Sequence, residues 1–226
     1  MKNDSSLKTR ALSALVIGPA VLGILYAGGA AFTVMMAAVA GISVYEWGKM
    51  VFSGKKFRYP LMLFGVAYIG LATGLMIWLR NVPGGLYHVL TLLLIVWASD
   101  ISAYFSGKAI GGPKLAPMIS PKKTWAGFFG SSLGSGIVAA LLACFCVQET
   151  FHVSTIGNLS WQSYALMGFV LAMIGQAGDL FISMFKRHYG VKDTGTLIPG
   201  HGGILDRIDA LLLVAIAFGT LAMYYT

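Results

Sequence analysis

The chain has 226 residues, of which 57% are apolar and only 11% charged, against roughly 25% charged in a typical soluble domain. A chain of this length and composition lacks the polar surface to enclose itself in water, which excludes a soluble globular protein and places it in a membrane. The net charge of +8 raises nucleic acid as a partner, but the basic residues lie between apolar stretches rather than in one footprint.

A spanning helix needs about 20 mostly apolar residues. Seven stretches qualify: 11–27, 30–50, 60–79, 86–106, 124–147, 161–185 and 204–225. The predicted fold class is an all-α polytopic membrane helix bundle with about seven transmembrane helices. Lys2, Lys8 and Arg10 before the first stretch resemble a signal peptide, but further apolar stretches follow at once, so a retained first helix is expected. Only Ala27, Gly28 and Gly29 part the first two spans, and Gly18-Pro19 is a place for the first helix to bend. Cys144 and Cys146, two apart in an apolar run, do not face each other on a helix and are expected to pack.

Charge sets the orientation. Lys2, Lys8 and Arg10 precede the first span. Lys49, Lys55, Lys56 and Arg58 follow the second, and Lys108, Lys114, Lys122 and Lys123 follow the fourth. Lys186, Arg187, Lys192 and Arg207 follow the sixth. Of the 16 basic residues only Arg80 falls on the opposite side. The positive-inside rule makes the crowded side cytosolic and puts the N-terminus there. The 29 glycines, among them Gly130, Gly134 and Gly136, suit close helix packing. Residues 1–85 read as N-terminal transmembrane helices, with a dimerisation or lipid-facing role open. Residues 86–226 read as the catalytic region, with cytosolic loops at 107–123 and 186–203.

Five of the eight acids, Glu46, Asp100, Asp179, Asp206 and Asp209, lie within or at the ends of apolar spans. A carboxylate at the bilayer centre costs about 2.5–3.5 kcal/mol on insertion scales, so such groups call for a partner or a function. Asp100 and Asp179 each lie six residues from a cytosolic span end, about 9 Å deep. Asp206 and Asp209 open the last span from the same side, three apart on one helix face. Glu46, beside Tyr45 and Trp47, is expected to pair with a nearby Arg or Lys. The other acids, at one level beneath basic loops, suit a divalent cation and a polyphosphate, because Mg²⁺ takes hard oxygen ligands from carboxylates, water and phosphates.

Two segments offer phosphate donors. Gly111, Gly112, Pro113, Pro117 and Pro121 make 107–123 a loop. Ser120-Pro-Lys-Lys-Thr124 then leads into an apolar helix that Ser120 or Thr124 is placed to cap, and a helix N-terminus attracts phosphate. An ordinary positive-inside loop remains an equal reading of that segment alone. The second segment, from Ser183 to Asp209, carries Lys186, Arg187, Lys192, Arg207, His201 and the glycines of Pro199-Gly-His-Gly-Gly203, which let backbone approach a ligand closely.

In this second segment the sequence resembles the phosphatidate cytidylyltransferase (CDP-diacylglycerol synthase) family. Ser183, Lys186, Arg187, Lys192, Asp193, Pro199 to Gly203, Asp206, Arg207 and Asp209 match its pattern. Asp100 through Lys114 to Ser120-Pro-Lys-Lys-Thr-Trp125, and Gly178-Asp-Leu-Phe181, are also similar to it. The likeness covers about residues 95–226. Two departures stand out: Ala126 and Ile182 occupy positions where many relatives have glutamate, which shifts more of any metal role onto the aspartates.

The resemblance implies transfer of CMP from CTP to phosphatidate, giving CDP-diacylglycerol and pyrophosphate, in a bacterial inner membrane with the site on the cytosolic side. It implies Asp179, Asp206, Lys192 and Arg207 as catalytic residues. Ser120, Lys122, Lys123 and Thr124 are expected on CTP. Ser183, Lys186, Arg187 and His201 are expected on phosphatidate or phosphate, with His201 equally able to order its loop. Asp179, Asp206, Asp209 and Asp100 are expected on one or two Mg²⁺ ions, with a monovalent cation and a homodimer left open. Two rivals remain. A CTP-dependent polyprenol or lipid kinase needs a general base for a hydroxyl nucleophile, and an ion-coupled transporter needs acids near the midplane.

Overall fold

The computed structural model describes residues 2–53, 58–144, 160–197 and 202–225, with side chains described from Leu15 to Tyr224 within those ranges. Its elements in chain order are α1 (Lys2–Ala27), α2 (Gly29–Ser53), α3 (Arg58–Asn81), α4 (Gly85–Ala109), β1 (Lys114–Ala116), β2 (Ser120–Thr124), α5 (Trp125–Leu142), α6 (Trp161–His188) and α7 (Leu205–Tyr225). Among the described residues, six helices, α2 to α7, are long and apolar enough to cross a membrane, with mean hydropathy of 1.4 to 1.9. Less than half of each apolar window is buried within the protein, so the remaining apolar surface requires lipid. The protein is therefore an all-α, multi-pass membrane protein carrying one small hairpin.

The expected spans reappear with ends moved by a few residues, and two differences have physical causes. Gly28 and Gly29, at φ of 65° and 51°, make the break between α1 and α2, a left-handed turn that L side chains resist. The expected loop 107–123 is instead largely structured. α4 runs on to Ala109, Gly111 and Gly112 turn the chain at φ of 69° and 91°, and β1 pairs antiparallel with β2, Lys114 opposite Thr124 and Ala116 opposite Ser120. The Trp125 amide donates to the Pro113 carbonyl at 3.1 Å, closing the hairpin onto α5. α6 likewise continues past 185 to His188, with Lys186, Arg187 and His188 in its last turn, where cations favour the helix dipole. It stops at Gly190, at φ 68°. There Gly190 N–H donates to Arg187 and Val191 N–H to Lys186, the double bond of a Schellman ending. Cys144, expected to pack, is exposed; Cys146 lies outside the described residues.

The chain divides into two compact units, residues 1–77 with 185–208, and 78–184 with 209–226. The N-terminal helices thus group with the basic segment after α6. The first unit is organised around Trp47, which is 1% exposed. Its indole N–H donates to the Leu61 carbonyl at 2.9 Å, and its ring meets Phe185 edge-on at 4.9 Å. Gly65 lies flat against the indole, where any Cβ would overlap it. Gly65→Ala is therefore expected to displace Trp47 and destabilise the protein by about 1–3 kcal/mol, read as a lower melting temperature in detergent.

The second unit packs α5 against both α4 and α6 through small residues. A Cβ on Gly130 or Gly134 would strike Ser106 or Ser102 of α4, and one on Gly168 of α6 would lie 2.6 Å from the Ser135 carbonyl of α5. The Ser135 hydroxyl crosses back to the Ile95 carbonyl at 2.9 Å. Small residues permit this backbone approach where lipid supplies no hydrophobic drive between helices.

Candidate active site

In the second unit, β2 delivers Lys122, Lys123 and Thr124 to the start of α5. The Thr124 hydroxyl accepts the Gly127 amide at 3.1 Å and is the N-cap of α5, one of the two caps expected. Ser120 lies at the far end of β2, paired with Ala116. Lys123 reaches α6, where its Nζ stands 2.6 Å from Asp179 Oδ2 and donates to Gln176 Oε1 at 2.8 Å. The Gln176 amide in turn donates to the Ser99 hydroxyl at 3.4 Å. Ser183 donates to the other Asp179 oxygen at 3.2 Å. Gln176, 6% exposed, was not singled out from the sequence. The available signal was a polar side chain one turn before Asp179 in an apolar span.

These groups surround a partly open cavity of about 340 Å³. Asp100 and Asp179 supply carboxylates, Lys108, Lys122 and Lys123 supply cations, and Tyr104 and Phe128 supply aromatic walls. Lys108 also stands 5.7 Å over the Tyr104 ring. The N-terminus of α5 opens here through Thr124, Gly127 and Phe128, adding the positive end of a helix dipole. The cavity therefore joins hard oxygen ligands to phosphate donors. Asp209 lies where α7 meets α6: a Cβ on Gly178 would stand 2.9 Å from the Asp209 carbonyl. The Asp209 carboxylate accepts the Ala210 amide at 2.8 Å.

The first unit holds the other predicted residues. Lys186, 8% exposed, pairs with Asp206 at 2.8 Å. The second Asp206 oxygen accepts the Thr194 amide at 2.8 Å and the Gly203 amide at 3.2 Å, so three donors already hold this carboxylate. Arg187 donates to the Val191 carbonyl at 3.5 Å, while Lys192, Asp193 and Arg207 are exposed. His201, with Pro199 and Gly200, lies outside the described residues. Asp179 belongs to one unit and Asp206 to the other. Among the described residues, no three His, Cys, Asp or Glu side chains gather to hold a metal ion.

Glu46 departs from expectation. It is 3% exposed, and the partners of its carboxylate are the Thr194 hydroxyl at 3.2 Å, the Ile204 amide at 3.1 Å and the Leu205 amide at 2.9 Å. Among the described residues it holds a helix start rather than an Arg or Lys, because the first amides of α7 lack partners within the helix.

Carboxylates, lysines and a helix N-terminus beside a cavity at the end of apolar helices define a membrane protein built to handle a polyanion. The chain belongs to the cytidylyltransferase family, whose model matches residues 51–225. Among its relatives, the phosphatidate cytidylyltransferase of Rickettsia bellii (strain RML369-C) is 36% identical over 215 residues, covering 95% of this chain and 90% of that one. That of Rickettsia conorii (strain ATCC VR-613 / Malish 7) is 34% identical over 224 residues, covering 99% and 94%. That of Brucella abortus biovar 1 (strain 9-941) is 32% identical over 259 aligned positions, covering 93% and 91%.

Proposed function

We propose that the chain transfers the cytidylyl group of CTP to phosphatidate, releasing pyrophosphate and forming CDP-diacylglycerol. The observation that carries this reading is the cavity in which Asp100, Asp179 and three lysines meet the N-terminus of α5. Its membership in the cytidylyltransferase family and its near full-length likeness to phosphatidate cytidylyltransferases support the same reading.

A phosphate monoester oxygen of phosphatidate attacks the α-phosphorus of CTP, a P–O bond forms there, and the bond to pyrophosphate breaks. The nucleophile is already anionic, so the demand is for relief from repulsion and for in-line placement rather than for a strong base. Lys122 and Lys123, with the α5 N-terminus, hold the CTP phosphates. Lys186, Arg187 and Arg207 serve the phosphatidate head group and the departing pyrophosphate. Mg²⁺ fits the donor set lining the cavity, since one or two carboxylates with water and substrate phosphates satisfy it. Asp179 and Asp100 are the residues that would hold it. The bound ion would supply charge neutralisation on the phosphoryl oxygens.

The apolar chains of phosphatidate stay in lipid while CTP arrives from water, which suits a site at the rim of the spans. The side bearing Lys108, Lys122 and Lys123 is cytosolic by the charge bias, with the N-terminus on that side, in the inner membrane of a bacterium. Purified protein given CTP, phosphatidate and Mg²⁺ is expected to form CDP-diacylglycerol, and excess chelator is expected to reduce the rate at least about 100-fold. Full activity in chelator would contradict the metal assignment, and no product with Mg²⁺ present would contradict the function.

A further inference from the structure

We propose that Glu46 is a positioning residue for this reaction: its buried carboxylate clasps both ends of the 194–205 segment and thereby fixes Asp206 and Lys186. The proposal rests on the reading above, that this segment serves cytidylyl transfer. One Glu46 oxygen receives both the Thr194 hydroxyl and the Leu205 amide, and the other receives the Ile204 amide. Thr194 is shared, because its own amide donates to Asp206. The Gly203 amide, adjoining Ile204, donates to the same Asp206 oxygen. A shift of the Glu46 carboxylate therefore carries to Asp206 through two short backbone paths, and from Asp206 to Lys186.

The glycines of the segment point the same way. Gly195 and Gly203 do not have positive φ, unlike Gly202 at 86°, so backbone conformation does not demand glycine at either position. What excludes a side chain is Glu46 at Gly195, and Glu46 together with the Thr194 hydroxyl at Gly203. A Cβ on Gly195 would stand 2.8 Å from the Glu46 carboxyl carbon, and one on Gly203 would overlap the Thr194 hydroxyl and stand 2.5 Å from Glu46 Oε2. The carboxylate thus sits in a cradle that two glycines leave open for it. Capping alone does not require this arrangement, because Asp206, within the first turn of α7, already accepts one amide locally.

The test uses the full chain purified in detergent. Glu46→Gln keeps the volume but turns an NH₂ group toward amide donors. It is expected to lower kcat at least about 30-fold with KM for CTP within about threefold of wild type. It is also expected to speed tryptic cleavage after the exposed Lys192. Gly195→Ala, whose methyl group would meet Glu46 alone, is expected to do the same in the wild-type background, yet add nothing to Glu46→Ala, where the cradle is empty. A purely structural role for Glu46 would lower yield and melting temperature while leaving kcat of the folded fraction unchanged, and that result would overturn the proposal. So would additive losses from Gly195→Ala and Glu46→Ala. Faster cleavage in Glu46→Gln alongside a wild type that forms no CDP-diacylglycerol would sink the proposed reaction while supporting the clasp.

Discussion

Asp179→Asn is expected to reduce CDP-diacylglycerol formation at least about 1,000-fold, equivalent to about 4 kcal/mol of transition-state stabilisation, while leaving the melting temperature nearly unchanged. The asparagine keeps the shape and still accepts the Ser183 hydroxyl, but it removes the charge that pairs with Lys123 and that would hold a divalent ion. The pair is partly open, with side-chain exposures of 19% for Lys123 and 32% for Asp179. Water can therefore replace the lost partner, and the stability change should stay within about 1 kcal/mol. Steady-state rates and melting curves on the same preparation check both parts. A variant within tenfold of wild-type turnover would remove Asp179 from the chemistry.

Asp206→Asn should behave differently, because its pair with Lys186 is buried, with side-chain exposures of 5% and 9%. Removing one partner of a buried ion pair typically costs about 3–5 kcal/mol, since the other charge is left without compensation. Both activity and melting temperature are expected to fall. Adding Lys186→Met removes the stranded ammonium and should recover more than half of the lost stability. Activity should stay absent, because the head group has lost its cation. If the double variant melts lower still, the pair contributes through more than its charges. If Asp206→Asn melts like wild type, the buried pair is not holding the 194–203 segment.

The contrast between these two aspartates was hidden in the sequence, where both read as acids at one depth. The spans themselves were legible, because uninterrupted apolar runs between basic or glycine-rich segments leave little choice of helix ends. Thr124 was legible as a cap, standing directly before the apolar run of α5. The hairpin was not: Pro117 and Pro121 argue for loop, and a two-stranded ribbon tolerates prolines on its open edges. The partners of Glu46 lie 148 to 159 residues away in the chain, and no local pattern signals such a contact. Its surroundings of Tyr45 and Trp47 suggested an ion pair, whereas the unsatisfied amides at the start of α7 were the partners available. Separation along the chain also hid the link from Lys123 to Gln176, 53 residues on.

Cytidylyl transfer and phosphoryl transfer divide the atoms of CTP differently between lipid and water. CTP labelled in the cytosine ring and CTP labelled in the γ-phosphate, each given to the purified protein with phosphatidate and Mg²⁺, therefore distinguish them. Ring label is expected in the organic-soluble lipid, with γ-label released as pyrophosphate in equal amount. Transfer of γ-label to the lipid, with ring label left in water as CDP, would show a lipid kinase and contradict the account.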